Sequence, residues 1–207
     1  MKVTRIHITG VGGQGTLLAT SLIGEAAMLA GLNVNISEVH GMAQRGGVVE
    51  SAVIIGPALS TIISDGEADI LLGFEPSESL RAANKCGSNT LVITNSHPFP
   101  PFTSAIGQGE YPDIEKALAQ LEKRVKKLVA LDADAYAHQA GSILSMNMVM
   151  LGALARHADL PIKADHAKKA IKKNTKKEKY QGSFFCPVLP WYQMQVSIAL
   201  LSLAAAN

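Results

Sequence analysis

The chain has 207 residues, 47% hydrophobic and 17% charged, with a formal net charge of +2 at pH 7. That balance excludes intrinsic disorder and favours one domain whose sheet is covered on both faces. No run of about 18 apolar residues and no basic-then-apolar leader is found, so a cytoplasmic protein without a membrane span is expected.

The first element is a strand. TRIHIT, residues 4–9, alternates apolar and polar and stops at Gly10. From Gly13 to about Ala30 the residues Leu17, Leu18, Ser21, Leu22, Ala26 and Leu29 recur at helical spacing, with Gly31 as the stop. NVNISEVH, 33–40, reads as a second strand, which would pair parallel with the first through a right-handed crossover. VVESAVIIG, 48–56, is another strand, followed by short extended pieces around TIIS and DILLGF. PSESLRAANK, 76–85, starts with a proline and reads as a helix feeding the strand NTLVITN, 89–95. Residues 96–112, with prolines, Phe99, Phe102 and Tyr111, form a long irregular loop and an expected contact surface.

YPDIEKALAQLEKR gives a helix and VKKLVALDAD a strand ending in acids. From about Ala133 to Ala158 the chain reads as helical, with Gly141 and Gly152 permitting close packing or a break. DLPIKADHAKKAIKK supplies a loop and helix, and Val188–Ala206 a final helix. The expected fold is α/β: a three-layer, doubly wound, mostly parallel sheet with a Rossmann-like start and a helical C-terminal segment. Residues 1–207 are read as a single domain, helical from about 133.

Charge is uneven. Residues 151–207 carry nine Lys and Arg against three Asp and Glu, and eight lysines fall between Lys163 and Lys179. A solvated helix face explains that spacing; attraction to a phosphorylated ligand or an acidic partner is the functional alternative. No aromatic residues interleave with the lysines as nucleic-acid stacking requires, so nucleic acid is not expected as a partner. Cys86 and Cys186 lack C-x-x-C spacing and can build neither an iron–sulfur cluster nor a structural zinc site.

Two loops carry the functional signal. GVGGQG, 10–15, satisfies G-x-G-x-x-G between a strand and a helix, with Glu38 near the end of the second strand. Gly10 and Gly12 would let the backbone turn and approach an anion, and Gly15 would let the helix pack close. Helix N-terminal amides would then receive phosphate. A tight strand-to-helix turn that binds nothing is the plain alternative. SEVHGMAQRGG, 37–47, places Glu38, His40, Gln44 and Arg45 around Gly46 and Gly47 at a strand end. There Arg45 could clamp a carboxylate or phosphate, or could be solvated in a surface turn. No second ligand stands at a matching spacing from His40, so no metal is assigned.

Together these loops, the strand ending in IG and NMVMLGAL (147–154) resemble the gamma-type domain of 2-oxoacid:ferredoxin oxidoreductases. The wording HGMAQRGG is most similar to the small, beta subunit of the indolepyruvate:ferredoxin members. The resemblance covers roughly residues 3–175; QGSFFCPVLPWYQMQ, beyond Tyr180, departs from the family's usual close. It implies the small subunit of an enzyme built from parts. A large subunit would carry thiamine diphosphate and iron–sulfur clusters, decarboxylate an aryl or other 2-oxoacid, reduce ferredoxin and yield an acyl-coenzyme A.

This chain would bind none of those cofactors alone, would hold no catalytic residue and would contact coenzyme A at most. Carried onto this sequence, the implied positions are Gly10, Gly12, Gly13, Gln14 and Gly15 as anion cradle. Glu38, His40, Gln44, Arg45, Gly46 and Gly47 would contact ligand or partner, with Asn147 a further candidate. Competing readings are a self-sufficient NAD(P)- or flavin-dependent oxidoreductase, with Glu38 as its ribose contact, and a binding module that recruits acidic partners through its basic tail.

Overall fold

The computed structural model describes residues 2–40, 47–99, 111–140 and 145–175, the side chains of His40 and Thr175 aside. In chain order the elements are β1 Thr4–Val11, α1 Thr16–Leu29, β2 Val34–His40, β3 Val48–Ile55, β4 Ala68–Gly73 and α2 Pro76–Arg81. A 3-10 turn at Ala82–Lys85 leads to β5 Cys86–Asn95, α3 Ile114–Glu122, β6 Lys127–Leu131, α4 Ala133–Gln139, α5 Met146–His157 and α6 Ala164–Thr175.

The strands form one six-stranded sheet in the order β2-β3-β1-β4-β5-β6. All run in one direction except β3, which is antiparallel to both neighbours. This corrects the expected parallel pairing of the first two strands, because β3 lies between them. Residues 41–47 are too few for the crossover that a parallel β2–β3 pair needs, so the chain folds straight back. The hairpin then lays its apolar VVESAVII strand against β1, with Ile6 opposite Val53 and Ile8 opposite Ser51.

One face of the sheet presents Ile6, Ile8, Val53, Ile55, Ile70, Leu72 and Ile93 to α1, α4 and α5, which answer with Ala19, Ile23, Ala133, Met146 and Met150. On the other, Leu71 and Val92 meet Ala82 and Leu121 of the α2–α3 side. Ala52 and Ile54 are covered by Ile63 from the irregular segment between β3 and β4. TIIS, expected as extended, is therefore no strand; its single buried residue plugs the sheet where no helix lies.

The expected face of α1 is displaced. Of its proposed apolar residues Leu22 and Ala26 are buried, but Leu17 and Leu18 stay 39% and 42% exposed, and Leu29 is exposed as well. The sheet takes Ala19, Ile23 and Ala27 instead, because small residues let the helix lie close to the strands. Gly31, at φ 74°, ends α1: its amide donates to the Met28 carbonyl and that of Leu32 to Ala27, a left-handed cap that glycine adopts without steric cost.

The stretch expected to be helical from 133 to 158 is two helices. Asp132 caps α4 by accepting from the Ala135 amide at 2.8 Å, and Gly152 is buried within α5. Gly141, most of the proline-rich loop, Cys186, Trp191, Tyr192 and the expected helix Val188–Ala206 lie outside the described residues. Among the described residues no helix is long and apolar enough to cross a membrane.

Candidate functional site

From β1 the chain crosses α1 toward β2, whereas β4 lies on the other side of β1. The carboxyl ends of β1 and β4 therefore flank the point where the sheet's winding reverses, the place where open α/β sheets bind ligands. The glycine loop stands there. Gly10 is locked by contact: a Cβ would lie 2.8 Å from both Phe74 Cβ and Thr16 Cγ2. Gly12 donates its amide to the Gly47 carbonyl at 2.8 Å, which ties the first loop to the end of the second. Gly13, at φ 105°, faces open space.

Gln14 is a strut across the crevice. Its Oε1 accepts from the Val11 amide at 2.8 Å, and its Nε2 donates to the Phe74 carbonyl at 3.2 Å. Both ends of the side-chain amide are engaged within the fold, so Gln14 shapes the cradle.

Gly15 is the left-handed N-cap of α1, at φ 80°, and no side chain caps that helix. A Cβ on Gly15 would fall 2.7 Å from Asn147 Nδ2. Asn147, buried in the first turn of α5, thus sets the N-terminus of α5 against that of α1. The N-cap of α5, Ser145, makes no side-chain cap hydrogen bond either. Two helix N-termini meeting over a glycine loop concentrate amide donors and positive potential where an anion would lie.

The remaining sequence candidates separate. Glu38 is exposed on β2, opposite Ser51 of β3, which in turn faces Ile8 of β1. Two strand spacings, about 10 Å, divide it from β1. The intervening strand removes it from the position a ribose contact requires beside the glycine loop, and this geometry disfavours the dinucleotide reading. His40 ends β2 opposite Val49. Gln44, Arg45 and Gly46 lie outside the described residues, and Gly47 joins the rim through Gly12.

Sequence reasoning missed the acidic side of the crevice. Glu75, fully buried after β4, caps α2 by accepting from the Glu78 amide at 2.9 Å. Its other oxygen accepts from the Phe99 amide at 3.3 Å and from the Tyr111 hydroxyl, so one carboxylate holds both flanks of the proline-rich loop. Burial, then Glu75, raises the Tyr111 phenol above its ordinary range. The signal was the E-P pair at 75–76, a cap followed by a proline at the first helical position.

Asn95 closes the crevice beyond. Its Nδ2 donates to the Phe74 carbonyl at 3.2 Å and to Asp134 Oδ2 at 2.8 Å, and its Oδ1 accepts from the His97 and Ala133 amides.

Asp134, Asp132 and His97 form the one group among the described residues with metal-ligand chemistry and spacing. Asp134 is already bonded to Asn95 and Asp132 already caps α4, so capping and bridging explain the cluster. Cys86 is the only described cysteine and is buried, its thiol pushed up to about 11 by burial. It offers no cluster ligand.

Below the rim, on the α2 face, Glu78 is fully buried with neither carboxylate oxygen hydrogen-bonded. Arg81 Nε lies 3.8 Å away. Burial raises its carboxyl above the ordinary value, with Arg81 opposing and Glu75 and Glu50 adding. His7, also buried, is held below its ordinary value by burial, against the opposing pull of Glu50.

Fold and rim define a doubly wound α/β domain with a glycine-loop crevice at the carboxyl ends of β1 and β4. Residues 5–183 match the model of the pyruvate ferredoxin/flavodoxin oxidoreductase family. The chain belongs to that family. It is 42% identical over 169 residues to the indolepyruvate oxidoreductase subunit IorB of Methanothermobacter thermautotrophicus, covering 82% of this chain and 86% of the relative.

Among solved structures it resembles the gamma subunit of a keto/oxoacid ferredoxin oxidoreductase from Geobacter sulfurreducens, with a TM-score of 0.64 at 20% identity, covering 98% and 99% of the two chains. It also resembles part of the 2-oxoglutarate:ferredoxin oxidoreductase of Magnetococcus marinus, determined with 2-oxoglutarate, coenzyme A and succinyl-CoA bound. There the TM-score is 0.66 at 19% identity, and the match covers all of this chain and 32% of that one. These likenesses bear out the expected mostly parallel α/β architecture.

Proposed function

We propose that this chain is the small subunit of a cytoplasmic 2-oxoacid:ferredoxin oxidoreductase of the indolepyruvate type. Residues 1–207 are read as one gamma-type domain. A large subunit supplies thiamine diphosphate and iron–sulfur clusters and transfers the two electrons released on decarboxylation to ferredoxin. The product is an aryl-acyl coenzyme A. The identity to subunit IorB over four-fifths of the chain carries this reading, and the small number of cysteines supports it, since clusters must lie elsewhere.

The chain's own part is to receive and to dock. Gly12, Gly13 and Gly15 form the anion cradle at the N-termini of α1 and α5, with coenzyme A phosphate as the anion. Gln14, Gly10 and Asn147 hold the cradle's shape. Glu38, His40, Gln44, Arg45, Gly46 and Gly47 are the neighbouring contacts to ligand or partner, with Arg45 supplying a charge-assisted one. Leu17 and Leu18, half-exposed immediately after the cradle, add apolar area to the docking surface.

Titration calorimetry on the complex with the large subunit tests the ligand. Coenzyme A is expected to bind, and NAD and FAD to give no heat. Tight binding of either dinucleotide would replace this reading with the self-sufficient oxidoreductase; no binding of any of the three would reduce the rim to a subunit contact.

A further inference from the structure

The sheet ends on two unlike strands. β6 closes one side with five residues, KLVAL, headed by Lys126 and Lys127, and lysines on a short edge discourage pairing with another chain. β2 closes the other side with seven residues, VNISEVH, that include no lysine, arginine or proline. Its register with β3 runs unbroken from Val34 to His40, so no bulge twists this edge away.

The open side of β2 follows from its ladder. The Asn33 carbonyl accepts from the Gly56 amide at 2.8 Å, and hydrogen-bonded pairs alternate along an antiparallel ladder. Asn35, Ser37 and Val39 therefore bond to Ile54, Ala52 and Glu50 of β3, and the amides and carbonyls of Val34, Ile36, Glu38 and His40 point away from the sheet. No backbone partner for Val34, Ile36 or Glu38 stands on that side among the described residues. Apolar side chains lie beside them: Ile36 is 40% exposed, and Met28, one turn beyond the Gly24 against which Ile36 lies, is 60% exposed.

We propose that β2 pairs antiparallel with β2 of a second copy of this chain, about a two-fold axis through Ser37. Outward groups then meet outward groups: Val34 faces His40 of the second copy and Ile36 faces its Glu38, giving about eight main-chain bonds. An axis through Glu38 would set like charges opposite one another, and an axis through Ile36 would leave His40 with no β2 residue opposite. The strand is thus its own complement. Pairing uses the open edge of both copies, shields the apolar side chains beside it and leaves only the lysine-headed β6 edges outside, so assembly stops at the dimer. This inference does not depend on the proposed enzymatic role.

Cysteine cross-linking of the full chain reads the register. Ser37 falls in a wide pair on the axis, its Cα about 4.5 Å from that of its copy, within the span a disulfide bridges. Val39, on the same face of the sheet, lies about 13 Å from its copy. Under mild oxidation Ser37→Cys should form dimers several-fold faster than Val39→Cys, above the background of the unmodified chain with its own Cys86 and Cys186. Glu38→Pro removes an amide that β3 does not use, so this variant should keep the circular dichroism of the unmodified chain and sediment as a monomer where the unmodified chain sediments as a dimer. The proposal is overturned if the unmodified chain is a monomer at every concentration, if Ser37→Cys cross-links no faster than Val39→Cys, or if a folded Glu38→Pro still dimerises. Loss of the Ser37→Cys cross-link on adding the large subunit would equally overturn it, by giving the edge to that subunit.

Discussion

Gly10 and Gly15 are required by contact, and the sequence pattern alone did not show what they contact. Alanine at Gly10 forces its methyl into Phe74 and Thr16 and should cost about 1–3 kcal/mol of stability through overpacking. At Gly15 a left-handed backbone is added to the clash with Asn147, so Gly15→Ala should cost about 2–4 kcal/mol. Urea denaturation reads both, and equal stability of Gly15→Ala and the unmodified chain would show that Asn147 is not packed on the loop.

Glu78 gives a prediction in pH. Its folded-state carboxyl is raised by burial above an ordinary value of 4.5. Below that value folded and unfolded chains are both protonated and no penalty arises. As pH rises through the folded value, the folded chain must bury a charge that the unfolded chain keeps in water, and stability falls. Glu78→Gln removes this dependence, so unfolding midpoints measured from pH 4 to pH 8 should increasingly favour the variant as pH rises. A gap between the two proteins that stays constant across the range would mean that Glu78 is not buried as a carboxyl.

At the scale of elements, strands and caps were legible and neighbours were not. Alternation in TRIHIT, the stop at Gly31 and the P-S-E start of α2 are local signals, and each stands where the sequence placed it. The insertion of β3 between β1 and β2 depends on a short connection and on which strand offers the better apolar partner, neither of which periodicity encodes. The same limit explains α1. It is apolar on most sides, so periodicity could not choose between the face with Leu17 and Leu18 and the face with Ala19 and Ile23; the sheet's need for small residues did.

The candidate site was legible as two loops and illegible as a crevice. Glu75 and Asn95 reach it only through the sheet order. A consequence for α1 follows: Leu17→Glu alters a side chain that the fold leaves partly in water. It should weaken association with the large subunit about ten-fold or more, with the melting temperature within a few degrees of the unmodified chain. Unchanged association in sedimentation or calorimetry would move the docking surface off α1.

For the whole molecule, division of labour is the governing idea. A rim where two helix N-termini meet over a strutted glycine loop suits the proposed anion and partner contacts, and on the proposed function the two electrons pass to groups on the large subunit. The side chains of Lys163, Lys168, Lys169, Lys172 and Lys173 are exposed, and Lys173 pairs with Glu25 at 2.6 Å. That agrees with a solvated face. The most direct measurement is indolepyruvate-dependent ferredoxin reduction, with coenzyme A present, by the large subunit alone, by this chain alone and by the two mixed. The account predicts activity only in the mixture, saturating at a fixed ratio of chains; full activity of the large subunit by itself, or any turnover by this chain by itself, would contradict it.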